Sequence, residues 1–166
     1  MKRILHIVGA RPNYIKANPV INAIDFAEQV VLNTGQHYDK NLSKGIVDSL
    51  NMKRPDINLS LPSNMDTFER MSFLLEQLHK NVKNIKPDIV VLYGDIDSTL
   101  AGSIVASRMR IPIAHVESGL RSFDNRMPEE INRKIVDQVS SLHFVTEQSG
   151  VDNLKKEGHN KTIRFV

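Results

Sequence analysis

The sequence predicts an α/β fold, a doubly wound parallel sheet of the Rossmann-like kind. Short apolar runs alternate with longer stretches of helical periodicity along all 166 residues. Glycines and charged residues gather where the apolar runs end: Gly9, Gly35, Gly94-Asp95 and Glu117. Open parallel sheets bind their ligands at that edge. With 40% hydrophobic and 25% charged residues, the chain has the balance of a globular domain of ordinary size.

The elements follow in order. Residues 4–8 (Ile-Leu-His-Ile-Val) read as a first strand; with Lys2 and Arg3 ahead of it, the run resembles a signal peptide, but it is too short and is interrupted by His6. A helix is expected over 13–24, a strand over 29–33 and a helix over 41–50. The segment 67–85 places Phe68, Met71, Leu74, Leu75, Leu78 and Val82 at three- and four-residue spacing, one buried face of a long helix. Strands are then expected over 89–93, 113–116, 143–146 and 163–166, separated by helices over 98–109, 129–140 and 149–157. Crossovers in such a sheet are right-handed. No linker or repeat divides residues 1–166, which read as one domain. The sequence ends inside the last expected strand, which suits a terminal strand or a chain cut at a domain boundary.

Composition removes several classes of function. The absence of cysteine excludes disulfides, thiolate metal sites and a Cys nucleophile. The formal charge of +3 is scattered, and with no Trp and few aromatics there is no platform for nucleic acid. No segment approaches a membrane span, so a cytoplasmic protein is the expectation. No metal-ligand spacing and no cofactor fingerprint occur: Gly9-Ala10-Arg11-Pro12-Asn13 lacks both the three spaced glycines of a dinucleotide turn and a P-loop ending.

What remains is a set of strand-end residues. Arg11 and Lys16 flank the start of the first helix, where free N–H groups and side-chain charge favour an anion. His37, after Thr34-Gly35-Gln36, is a candidate donor to a ligand, weighed against a hydrogen-bonded loop histidine. Asp95 follows one strand and Glu117 the next, and neighbouring carboxylates raise one another's pKa as an acid/base pair requires. The competing explanation is a structural ion pair of either acid with Arg121. Asp97 or Ser98 is expected to cap the following helix. Strand alternation places His115 and Glu117 on one side. Glu129 and Glu130 follow Pro128 at a helix start, where the macrodipole favours acids. The loop 118–127, with Arg121, Phe123, Asp124 and Arg126, has the length of a binding loop.

GARPNYIKANPVI, TGQHYD, PDIVVLYGDIDSTLAG, IPIAHVESGLRSFDNRMPEEINR and DQVSSLHFVTEQS occur in that order, and together they resemble the N-terminal half of non-hydrolysing UDP-N-acetylglucosamine 2-epimerases. The resemblance implies one half of a glycosyltransferase-B-like two-domain fold, with the nucleotide sugar in the cleft between domains. It implies inversion at C2 of UDP-GlcNAc by elimination of UDP to 2-acetamidoglucal and re-addition. Asp95, Glu117 and Glu129 then fall on the family's acidic positions, and Arg11 and Lys16 on its basic turn; His37 and Arg121 are expected to bind substrate. The partners implied are a UDP-sugar, a second copy in a homodimer, and a C-terminal domain across the cleft; no cofactor is implied. GDIDST in place of GDTTTT, and Tyr38-Asp39 after Gln36-His37, also resemble enzymes acting on 2,3-diacetamido uronic acid sugars. At about half the family length, the chain alone is expected to have little or no epimerase activity. A stand-alone nucleotide-sugar module or half of a split enzyme is the alternative.

Overall fold

A computed structural model of the chain describes residues 1–35, 54–62 and 64–166. The expected helix over 41–50 and the candidate His37 lie outside the described residues. The described elements run β1 (Arg3–Val8), α1 (Arg11–Asn22), β2 (Glu28–Asn33), β3 (Ile57–Asn58), α2 (Thr67–Ile85), β4 (Ile89–Tyr93), α3 (Asp97–Arg108), β5 (Ile113–Val116), α4 (Pro128–Val139), β6 (Leu142–Val145), α5 (Gln148–Lys156) and β7 (Ile163–Phe165).

All strand pairs are parallel, in the order β3-β2-β1-β4-β5-β6-β7. The chain winds outward from β1 to β3, then returns to lay β4 against β1 on its other side. The order therefore reverses between β1 and β4, and loops leaving their C-terminal ends diverge into a crevice there. The doubly wound sheet expected from the sequence is present.

Alternation along the strands divides the core. On one face Leu5, Ile7, Val90, Leu92 and Ile113 pack beneath Leu74, Leu78 and Val82 of α2, Ala101 and Val105 of α3, and Val136 of α4. On the other, Ile4, Val8, Val31, Val91, Tyr93 and Ala114 pack beneath Tyr14, Ala17 and Ile21 of α1. At the far edge, Val151 and Leu154 of α5 cover Val145.

Several local expectations shift. α1 begins at Arg11 rather than residue 13, because Pro12 lies in the first turn, where its missing N–H costs nothing. The two-residue β3 is too short for a periodicity signal, and the sequence reading omitted it. α2 has the expected bounds: Asp66 accepts from the N–H groups of Phe68 and Glu69, and Glu69 reaches back to the Asp66 N–H. Phe68, expected on its buried face, is 84% exposed, whereas Leu74, Leu78 and Val82 of the same face are fully buried. α3 is capped by neither Asp97 nor Ser98. Ile96 is its N-cap, Asp97 is the first helical residue, and the Ser98 hydroxyl is bonded to Thr34 Oγ1 at 2.7 Å.

Candidate acid/base site at the sheet edge

The site is built from the turns after β1, β4 and β5 and from the first two turns of α4. Asn13 joins the first two of these turns. Its side-chain oxygen accepts from the N–H groups of Gly9 and Ala10 at 3.1 and 3.0 Å, and its amide donates to the Tyr93 carbonyl at 2.9 Å. Gly9 must lack a side chain here, since a Cβ would lie 2.4 Å from Thr34 Oγ1 and 2.8 Å from Ser98 Oγ. The turn after β4 carries Gly94 at φ +65, a left-handed conformation that turns Asp95 out of the strand direction.

Asp95 is an ion-pair partner of Arg133, and Glu117 of Lys16. All four side chains retain 16–29% of their exposure, so the pairs are largely buried but still reach water at the mouth of the crevice. From α4, Asn132 donates to the Asp95 carbonyl at 2.9 Å and approaches Asp97 Oδ1 at 3.4 Å, while Arg70 stands 4.0 Å from the other Asp97 oxygen. Glu129, exposed in the first turn of α4, is close enough for its charge to act on Asp95. Arg11 is exposed at the first residue of α1.

Burial raises the Asp95 carboxyl above the ordinary carboxylate range. Arg133 and Lys16 oppose that rise, while the negative charges of Glu117 and Glu129 reinforce it. Asp95 is thus electrostatically tied to Glu117, Glu129, Lys16 and Arg133 at once. Five of the seven sequence-predicted site residues lie at this edge: Arg11, Lys16, Asp95, Glu117 and Glu129. An arrangement of three carboxylates, one biased toward its protonated form, beside two cations can hold and exchange protons near an anionic ligand.

Arg121 is the exception. Its side chain is fully buried, with Nη1 2.8 Å from Asp137 and two nitrogens on Glu157 at 2.9 and 2.6 Å. It holds the loop against α4 and α5. The structural pairing weighed from sequence, Arg121 with Asp95 or Glu117, is also replaced, because those acids face α1 and α4 cations instead. Nor do His115 and Glu117 share a side. β5 ends at Val116, and Glu117 adopts φ +70, so its carboxylate turns toward α1 while His115 points under α4. Glu130 is not merely a first-turn acid: fully buried, it accepts from Ser122 N and Phe123 N at 2.9 and 3.2 Å and shapes the 118–127 loop.

Sequence reasoning missed Asn13, Asn132, Arg133 and Asp137. The last three had a signal, since positions 129, 132, 133 and 137 share one helical face with the predicted Glu129. Among the described residues, no group of three His, Asp or Glu side chains converges as metal ligands do, and no helix is long and apolar enough to cross a membrane.

Comparison with known proteins identifies a family and a shared fold. The family model described as UDP-N-acetylglucosamine 2-epimerase matches residues 21–166. A UDP-N-acetylglucosamine 2-epimerase homolog of Methanococcus maripaludis is 43% identical over 97% of the chain and 45% of its own length. The UDP-2,3-diacetamido-2,3-dideoxy-D-glucuronate 2-epimerase of Pseudomonas aeruginosa is 42% identical over 96% of the chain and 46% of its own. The crystal structure of Methanocaldococcus jannaschii UDP-GlcNAc 2-epimerase in complex with UDP-GlcNAc and UDP superposes with a TM-score of 0.94 at 39% identity, covering 99% of this chain and 46% of that one. The chain therefore spans somewhat less than half the length of these relatives. By sequence and by fold, it belongs to the UDP-N-acetylglucosamine 2-epimerase family.

Proposed function

We propose that the chain carries the acid/base half of a nucleotide-sugar 2-epimerase site, acting on UDP-N-acetylglucosamine and its C2 epimer. The observation that carries this reading is the gathering of two carboxylate–cation pairs, Asp95 with Arg133 and Glu117 with Lys16, at the β1/β4 switch point. In the forward step the C2–H and C1–O bonds break, C1=C2 forms, and UDP leaves as 2-acetamidoglucal is generated. In the return step UDP adds to C1 and a proton reaches C2 from the opposite face. One carboxylate takes the proton and another delivers it, which is why a single acid would not suffice. Arg11 and Lys16 supply positive charge to the departing diphosphate, and Lys16 is released for this when Glu117 changes its partner.

A second domain across the crevice completes the site, and the chain alone is inactive. The similarity to the Pseudomonas aeruginosa enzyme, with Asp97 at the start of α3, supports a second reading of the substrate as a 2,3-diacetamido uronic acid nucleotide. The apolar stripe of Met127, Ile131, Ile135 and Val139, all 38–46% exposed along α4, supports a homodimer. The protein works in the cytoplasm, where nucleotide sugars are handled.

The test is NMR of UDP-GlcNAc in D₂O with the 166-residue chain, and with the chain continued by the C-terminal half of the Methanocaldococcus jannaschii relative. The continued chain is expected to form the manno epimer with deuterium at C2, and Asp95→Asn, Glu117→Gln and Glu129→Gln each to slow it by roughly 100-fold or more. Vigorous turnover by the chain alone would refute the half-site reading.

A further inference from the structure

Asp137 lies in the last turn of α4, fully buried and out of reach of the crevice, and the proposed chemistry leaves it without a task. Its carboxylate accepts from His115 Nδ1 at 2.7 Å, from Arg121 Nη1 at 2.8 Å and from the Gly119 N–H at 3.1 Å. The other nitrogen of His115 meets the Gly94 carbonyl at 2.8 Å. A carbonyl only accepts, so Nε2 donates to Gly94 and Nδ1 to Asp137. Gly94 immediately precedes Asp95, and Gly119 follows Glu117 by two residues. One buried carboxylate thereby reaches the backbone beside both acids.

Those backbones need holding. Gly94, Glu117 and Gly119 have φ of +65, +70 and +82, and a non-glycine residue such as Glu117 keeps such a conformation only when its surroundings over-determine it. The Glu117 and Ser118 N–H groups are tied to the Phe144 carbonyl at 3.0 and 3.1 Å, and the Ser118 hydroxyl donates to the His115 carbonyl at 3.0 Å. Asp137 supplies the remaining constraint from below. The same helix also carries Asn132 on the Asp95 carbonyl and Arg133 on its carboxylate. A buried ion pair contributes little that apolar packing could not, whereas directional bonds to two loop backbones are something packing cannot supply.

We propose that Asp137 is the positioning residue of the acid pair, setting the Asp95 and Glu117 backbones through His115 and Gly119. The inference rests on the reading of these acids as the proton-transfer groups. It is tested by following the Asp95 carboxyl through a ¹³C NMR pH titration of the chain and of Asp137→Asn, His115→Asn and Val136→Ala. His115→Asn keeps a donor for Asp137 and removes the one for Gly94. Val136→Ala, one residue from Asp137, loosens the core without touching the clamp.

In Asp137→Asn and His115→Asn the Asp95 midpoint is expected to fall toward its ordinary value, as its turn relaxes and water reaches it. Val136→Ala leaves the midpoint in place. An unmoved midpoint in His115→Asn, or an equal shift in Val136→Ala, would overturn the proposal. If Asp137→Asn does not fold, His115→Asn decides alone. Failure of the acid/base reading would appear elsewhere, as undiminished turnover in Asp95→Asn of the continued chain.

Discussion

Two sets of ionisable groups, each centred on an aspartate and an arginine, sit on either side of the β5 end, and they behave in opposite ways. At the crevice, Asp95–Arg133 and Glu117–Lys16 are partly exposed, and the Asp95 carboxyl is pushed up. Beneath it, Asp137, His115 and Arg121 are sealed from solvent. There burial alone would raise the Asp137 carboxyl, but His115 and Arg121 bring it down to about 2. Burial is the largest single influence in both sets, so it does not set the outcome. The neighbours do. Asp95 shares its cations with two further carboxylates, while Asp137 keeps the Arg121 guanidinium, the His115 ring and a backbone N–H to itself. The first set is poised to change protonation, and the second is locked against it.

The largest break in this contrast comes from below. Asp137→Ala leaves Arg121 and His115 buried without their shared acceptor and is expected to lower stability by about 3–5 kcal/mol, read from urea unfolding. The wild-type pH profile should show the same group. The folded pKa of Asp137 lies below its unfolded value, so its contribution is present above the ordinary carboxylate range and is lost as pH falls through about 2. The shift corresponds to roughly 2 kcal/mol lost between about pH 4 and pH 2, and Asp137→Asn should flatten that part of the profile.

The crevice set should respond with the opposite sign. The folded pKa of Asp95 lies above its unfolded value, so the group favours folding at low pH and loses that advantage as pH rises through the folded value. Asp95→Asn is therefore expected to be at least as stable as wild type at neutral pH, with any difference closing in acid, by chemical denaturation at both pH values. Lys16→Met should be the mildest for the fold, below about 1 kcal/mol, because its pair with Glu117 is partly solvated. It should nevertheless weaken binding of UDP, measured by calorimetry, by about tenfold or more.

The contrast also separates what the sequence made legible from what it hid. Strand positions, and the placement of Asp95 and Glu117 just after strand ends, were readable because the apolar runs are bounded by glycine and charge; the place of Glu129 at a helix start was readable from Pro128. The α2 boundaries were readable because Asp66 and Glu69 form a capping box. Arg121 was misread because its partners, Asp137 and Glu157, lie 16 and 36 residues further on, and only the docking of α4 and α5 brings them together. His115 was misplaced because the strand ends one residue before Glu117 and strand alternation ends with it. Local pattern locates elements and the residues at their ends. Which charge meets which is decided by helix docking across the sheet, where neighbours are distant in sequence.

The central claim, that the β1/β4 edge with Asp95, Glu117 and Glu129 is the sugar-nucleotide half-site, is tested most directly by titrating UDP-GlcNAc into the ¹⁵N-labelled chain. Amide shifts are predicted to move at Gly9, Ala10, Gly94, Asp95, Glu117 and Glu129, with weak affinity, about millimolar, because one wall of the cleft supplies only part of the contacts. They should be much reduced in Lys16→Met. Shifts centred elsewhere, or tight binding that is indifferent to Lys16, would contradict the account.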